Sequence, residues 1–333
     1  MSPANRLRRR RLNRLVRRAR HSTARLIGSR FSSEPSVPKG ILLVLTAVIF
    51  FCVTDLLAKY LTRFYPVTLI VWARFTFHMV LVVSVLGPRL RMGLVRTRRL
   101  AEQILRGLLL MLGALFFIGA LKYLPLAEAT AIAYLSPLFV TLLSVVCLKE
   151  TVEPARWIAI LCSFGGVLII IRPGSHFFSW AALLPVANAL AFATYQIVTR
   201  RLAGMESPYT SIFYAGLVGT VVLSAIVPDV WMLPQSVWHA IAFIVLGVLG
   251  ALGHLILIRA YDHAPASRVA PFSYSQLVWV AIIGYFAFGD FPDAWSLFGM
   301  GVIIASGVFM ATRRSRDARP DEIPLDDSPM TRS

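Results

Sequence analysis

Charged residues are scarce. Asp, Glu, Lys and Arg make up 15% of the 333 residues, whereas a soluble chain of this size needs roughly a quarter to cover its surface. That shortage excludes an ordinary soluble globular protein. Cysteine is also sparse: Cys52, Cys147 and Cys162 all fall inside apolar blocks without metal-like spacing. They read as small hydrophobes, and no disulfide framework or thiolate metal site follows. The six histidines are scattered among a tail, loops and separate apolar blocks, with no H-x-x-x-H or D-x-x-D cluster. No metal, no cofactor and no enzymatic centre is therefore expected. A P-loop is missing too, which argues against an ATP-driven pump. The net charge of +18 resembles that of a nucleic-acid binder, but no aromatic-rich basic fold accompanies it and that partner class is set aside.

What is present in abundance is apolar sequence, 57% of the chain, arranged in long blocks. A hydrocarbon core of about 30 Å needs about 20 helical residues to cross it. Ten blocks qualify: 41–61, 67–86, 104–121, 126–148, 156–171, 178–199, 208–228, 238–258, 268–288 and 295–311. The fold class is all-α integral membrane, and a lipid bilayer is the first partner. Loop charge orients it. Twelve Lys and Arg precede Gly40, and most others fall in segments on one side of the spans, which hold Arg89, Arg91, Arg96, Arg98, Arg99, Arg106, Lys149, Arg156, Arg200, Arg201, Arg259 and Arg268. The opposite face keeps only Lys59, Arg63, Lys122 and Arg172, with Arg74 inside a span. Lys and Arg are retained on the cytoplasmic side, so both termini are expected there. Residues 1–39 read as a basic cytoplasmic tail drawn to anionic lipid, in part an over-called start, and lack the apolar core of a secretory signal. Residues 313–333 read as a disordered cytoplasmic tail.

The chain also repeats itself. "PLAEATAIAYLSPLFVTLLSVVCLKE" (125–150) meets "PASRVAPFSYSQLVWVAIIGYFAFGD" (265–290) at a shift of 140, pairing Pro125 with Pro265, Tyr134 with Tyr274 and Glu150 with Asp290. "LAKYL" and "VTRRL" align at 141, "FYPVT" and "ESPYT" near 142. Each unit, 40–175 and 176–312, then holds five spans. An odd number of spans inverts the second unit relative to the first, and inverted repeats are the architecture of secondary transporters, with a site near the bilayer midplane. A non-transporting receptor or scaffold would leave that symmetry without a purpose.

Two five-helix halves, each closing with a pattern such as "LPLAEATAIAYLSPLFVTLLSVVCLKETVEPARWIAILCSFGGVLIIIRPG", resemble the EamA family of the drug/metabolite transporter superfamily over about residues 40–312. The resemblance implies a ten-helix basket around a central cavity, alternating between open faces at the inner or plasma membrane. It also implies a small-molecule substrate: an amino acid or related polar or amphipathic metabolite for efflux, or a nucleoside-like metabolite or vitamin, such as S-adenosylmethionine or riboflavin, for uptake. The second half departs from the pattern, since "FSYSQLVWV" has no counterpart of Pro137.

Asp55, Arg74 and His78 form the strongest polar set. Asp55 lies about 9 Å from one end of its span and Arg74 about 10 Å from the same end of the next, at 1.5 Å per residue, so the hairpin brings them level. Intramembrane charges usually face the interior and pair. They read as a substrate site or coupling relay, with a hairpin-pinning salt bridge as the alternative. His78, four residues after Arg74, shares its face, and with Asp55 it is the candidate for proton coupling, imidazole titrating ordinarily near pH 6.5. Tyr134, Tyr274, Gln276, Trp279 and Gln196 (the repeat counterpart of Asp55), with Tyr195 and Asn188, are further candidates for the cavity wall. His254 reads as structural, and Glu128, just after Pro125, as a helix-start carboxylate at the positive end of the dipole. Pro137 and Pro271 each remove a backbone hydrogen bond and are the kink candidates. They fall six residues apart on the repeat, so the kinks are expected at unequal depths. Substrate, direction, proton coupling and oligomeric state, a homodimer included, stay open at this stage.

Overall fold

The computed structural model describes residues 36–149, 152–174, 179–202 and 205–317; the basic segment ahead of residue 36 and the tail past residue 317 lie outside the described residues. It consists of helices α1 (Val37–Leu61), α2 (Val67–Leu90), α3 (Met92–Val95), α4 (Leu100–Leu121), α5 (Leu126–Ala133), α6 (Ser136–Leu148), α7 (Pro154–Ile171), α8 (Leu183–Leu202), α9 (Pro208–Ser224), α10 (Val237–His263), α11 (Ala266–Ser273), α12 (Ser275–Phe288) and α13 (Ala294–Asp317). No strand occurs among the described residues.

Proline sets most of the starts. Pro66, Pro125 and Pro265 stand just before α2, α5 and α11, and Pro154 and Pro208 open α7 and α9. A missing N–H costs nothing there, because a first-turn N–H has no helical acceptor. The ends of α6 and α12 fall at repeat-equivalent residues, Lys149 and Gly289, both left-handed at φ 53° and 74°. Glycine adopts that conformation without strain, whereas Lys149 holds it against the Cβ–carbonyl clash.

Among the described residues, eight helical segments are long and apolar enough to cross a bilayer, and Pro208–Ser224 and Ala294–Met310 are shorter apolar helices. Large apolar side chains such as Leu42, Val146, Ile158, Phe286 and Phe298 are exposed around them, far beyond what an aqueous surface tolerates. Together these features make a multi-pass membrane protein. Trp180, Trp231, Trp238 and Trp295 are exposed at the end of the bundle where α1 meets α2 and α12 meets α13. Tryptophan concentrates at the membrane–water interface, and this end is called the Trp-rich end below.

The long helices pack across the two halves of the chain. α1 lies against α10, α4 against α8, α2 against both α9 and α10, α9 against α4, and α7 against α13. Glycines make the close approaches. A Cβ on Gly247 would meet Phe77 and the Arg74 carbonyl, and one on Gly253 would meet the Phe51 ring. The Gly-rich run of α10 thereby lets α2 and α1 settle onto it.

At the Trp-rich end several ties cross the halves. Lys59 pairs with Asp290 at 3.0 Å and donates to the Leu124 carbonyl at 2.9 Å. His239 is hydrogen-bonded on both ring nitrogens, with Tyr60 at 3.1 Å and Tyr65 at 2.8 Å. Ser296 donates to Glu128 at 3.3 Å, in the first turn of α5. Arg172 donates to Asp293, and that hydrogen bond holds the Asp293 carboxyl below its ordinary range. A depressed folded-state pKa contributes stability that is complete above the unfolded value, about 3.9, and lost as pH falls through the folded one. We expect Asp293→Asn to melt below the parent at pH 7, and the gap to close as both are melted in progressively more acidic buffer below about pH 3.9.

The spans at 126–148 and 268–288 are each broken in two, at Tyr134–Leu135 and at Tyr274. These are repeat-equivalent positions, so the expected difference in depth is not observed. Pro137 sits in the first turn of α6, after the break, and Pro271 in the last turn of α11, before it. Tight i→i+3 bonds mark both joints, from Leu138 to Leu135 at 3.0 Å and from Leu277 to Tyr274 at 3.1 Å. The second break needs no proline at its centre.

Candidate functional site

The broken helices, α1, α2 and α10 meet in the interior, where a polar cluster is assembled. Tyr134 and Tyr274 face each other with ring centroids 5.1 Å apart. The Tyr134 hydroxyl donates to the Ser273 carbonyl at 2.8 Å, so a side chain from one broken helix seals the backbone of the other. The same hydroxyl lies 3.5 Å from Gln276 Oε1, and Gln276 Nε2 donates to Asp55 Oδ2 at 3.3 Å. One chain of contacts thus joins both joints to α1. It fixes the amide orientation of Gln276, with oxygen toward the phenol and nitrogen toward the carboxylate.

Asp55 is buried on α1. Arg74 of α2 is within Coulombic range of it, yet no ion pair within 4 Å and no hydrogen bond within the chain engages the Arg74 guanidinium among the described residues. A guanidinium carries five donors and cannot discharge, so its hydrogen-bonding capacity is not used by the described residues. His78 is buried one turn further along, with Nε2 lacking any hydrogen-bond partner. Its ring lies 6.2 Å from that of His254 on α10, which in turn packs 5.1 Å from Phe51.

The expected residues Asp55, Arg74, His78, Tyr134, Tyr274 and Gln276 are therefore brought together. Trp279 is not among them: it is 38% exposed on the outer face of α12. Gln196 is half-buried on α8 and makes no side-chain hydrogen bond among the described residues. Tyr195 belongs to a different network. Arg106, counted among the cytoplasmic charges, is buried in α4, where it donates to Thr199 at 2.9 Å, Gln103 at 3.1 Å and Tyr195 at 3.2 Å. Asn188 packs beside Gly113, at the α4–α8 contact. His254 is the member that sequence reasoning missed. The glycines at 247, 250 and 253, spaced along one face of α10, were the signal that this face touches α1 and α2.

No group of three or more His, Cys, Asp or Glu that could hold a metal occurs among the described residues. The chemistry available is recognition: a fixed cation, a carboxylate, two imidazoles and two phenols in contact.

Comparison with known proteins follows the same lines. The profile of the EamA-like transporter family matches residues 38–172 and again 179–312. A riboflavin transporter of Vibrio cholerae is 32% identical, over 84% of this chain and 96% of that one. An S-adenosylmethionine uptake transporter of Rickettsia bellii is 34% identical, over 65% of this chain and 74% of its own length. A pseudopaline exporter of Pseudomonas aeruginosa is 27% identical, over 83% and 97%. A solved crystal structure superposes with a TM-score of 0.61 at 21% identity, covering 84% of this chain and 99% of the other, which speaks to the fold alone.

Proposed function

Because the chain belongs to the EamA-like transporter family, we propose that it is a secondary transporter of the plasma membrane that carries a small polar or amphipathic metabolite by alternating access. The observation that carries this reading is the unpartnered Arg74 guanidinium in the interior, beside Asp55, His78 and the Tyr134–Tyr274 pair. Arg74 holds an anionic group of the substrate, Asp55 a cationic one, and the phenol faces a planar one.

The architecture we propose is ten membrane helices in two inverted halves, residues 40–175 and 176–312, with both termini cytoplasmic. The broken spans are counted as one helix each. Its support is that exchanging the halves maps contacts onto contacts: α1–α10 onto α8–α4, α2–α10 onto α9–α4, and α2–α9 and α7–α13 onto themselves. The loop charges support the orientation.

Of the two substrate readings, uptake of a nucleoside-like metabolite or vitamin takes precedence over amino-acid efflux. What favours it is the aromatic surface of the Tyr134–Tyr274 pair, two rings tilted by 33° with centroids 5.1 Å apart, against which a flat heteroaromatic ring can pack, together with the names of the Vibrio and Rickettsia relatives. The test is flux into proteoliposomes of riboflavin, S-adenosylmethionine and a panel of amino acids, with and without an imposed pH gradient. We expect saturable uptake of at least one heteroaromatic compound. Uptake that follows the gradient assigns coupling to Asp55 or His78, whereas uptake indifferent to it makes the protein a facilitator. Flux of amino acids alone would overturn the heteroaromatic reading.

A further inference from the structure

The positive charge at the Trp-rich end has no role in the reading above. Among the described residues that end carries Lys59, Arg63, Lys122 and Arg172, and the first three line a single cleft of about 560 Å³ with Thr62, Tyr123 and Asp290. Cations are otherwise concentrated at the opposite end of the bundle, so their gathering here is local and deliberate. Lys59 is buried, its ammonium shared between the Asp290 carboxylate and the Leu124 carbonyl. The Arg63 guanidinium stacks over the Phe288 ring, 4.8 Å from its centroid, and Lys59 shares the same ring at 5.2 Å. Lys122 is exposed and touches the Tyr123 ring. Neither Arg63 nor Lys122 has an anionic partner within the chain among the described residues. The cleft thus opposes three cations to one carboxylate. Stacking removes freedom from the Arg63 fork before any ligand arrives, and low-dielectric walls concentrate the field of the excess charge.

We propose that this cleft is a binding site for a carboxylate or phosphate group at the mouth of the protein, held by Arg63 and Lys122, with Lys59 shared between the bound anion and Asp290. Anion binding and the Lys59–Asp290 pair then compete. Because that pair ties α1 to the segment after α12, an arriving anion loosens a tie between the two halves of the chain. The site begins one helical turn beyond Asp55 along α1, and its occupancy is measured without any transport.

The experiment uses the full chain in nanodiscs of phosphatidylcholine, melted across a titration of inorganic phosphate at constant ionic strength set by sodium chloride. We expect a saturable rise in melting temperature. Lys122→Gln and Arg63→Gln should each raise the half-saturating phosphate concentration about tenfold or more, as loss of a charge-assisted bond predicts. Asp290→Asn removes the competitor and should lower it several-fold. A Lys59–Asp290 pair that is only a structural tie would show no improvement in Asp290→Asn, so this variant decides whether Lys59 is shared with the bound anion. Lys122 is exposed and bears no load in the fold, which keeps the test readable if a variant at Lys59 or Asp290 fails to accumulate. Repeating the titration with phosphatidylglycerol added separates the sources. If a lipid headgroup is the occupant, the lipid alone raises the melting temperature and phosphate adds nothing further. If a free solute is the occupant, the phosphate titration is unchanged. No saturable effect of either, or one indifferent to Lys122→Gln, overturns the proposal.

Discussion

Arg74→Ala abolishes uptake by reconstituted protein while the variant accumulates and melts like the parent. The expectation follows from what Arg74 lacks. Among the described residues no hydrogen bond or ion pair is broken by its removal. Although Asp55 loses a nearby positive charge, no side chain loses a hydrogen-bonded partner, so the full penalty of about 3–5 kcal/mol for breaking a buried pair does not arise. Asp55 keeps its hydrogen bond from Gln276. What is lost is the charge-assisted bonding offered to the substrate, worth about 1.5–3 kcal/mol, or roughly ten- to a hundredfold in affinity. Arg74→Lys retains the charge without the planar fork and should recover part of the flux. Uptake at parental rates in Arg74→Ala would show that the substrate does not use this residue. Failure of the variant to accumulate would instead make Arg74 a pin between α1 and α2.

The features legible in the sequence are those that depend on one coordinate, position along the chain. Apolar runs give the spans, and depth arithmetic puts Asp55 and Arg74 level, because rise per residue is constant. Azimuth is a second coordinate. It depends on how α1 and α2 rest on α10, through Gly247 against Phe77 and Gly253 against Phe51, and it leaves the two charges near each other without an ion pair. The same packing carries His254 to His78, although 176 positions separate them, and no periodicity within either helix reports it. A proline lies three residues from each joint, Pro137 after Tyr134 and Pro271 before Tyr274, so both breaks are marked in the sequence; what is hidden is the tie between them, the Tyr134 hydroxyl on the Ser273 carbonyl. The Lys59–Asp290 pair is hidden as well, because its two members lie in opposite halves of the chain. The burial of Arg106 is hidden likewise, since the Thr199 and Tyr195 hydroxyls that allow it come from α8.

Gly307→Ala, on α13, inactivates transport without touching the interior charges. Gly307 is buried against the face of the Tyr274 ring, and a Cβ there would overlap three ring carbons well inside van der Waals contact. Two effects oppose each other. Alanine in place of a mid-helix glycine favours the helix by about 1 kcal/mol, whereas overpacking costs about 1–3 kcal/mol when the neighbour cannot yield. Here the neighbour is a ring already packed against Tyr134 on its other side, beside a helix joint, so overpacking wins. Displacing Tyr274 moves the joint between α11 and α12 and pulls Gln276 from Asp55. Gly301, on the same helix, has open space where its Cβ would go, so Gly301→Ala is the control and should be neutral or slightly stabilising. Melting temperatures of Gly307→Ala, Tyr274→Ala and the double variant complete a cycle. A coupling of about 0.5–3 kcal/mol, with the double variant melting above the sum of the singles, locates the strain at this contact. Independent losses would mean that α13 tolerates the methyl by sliding, and that the Tyr134–Tyr274 pair is not held from this side.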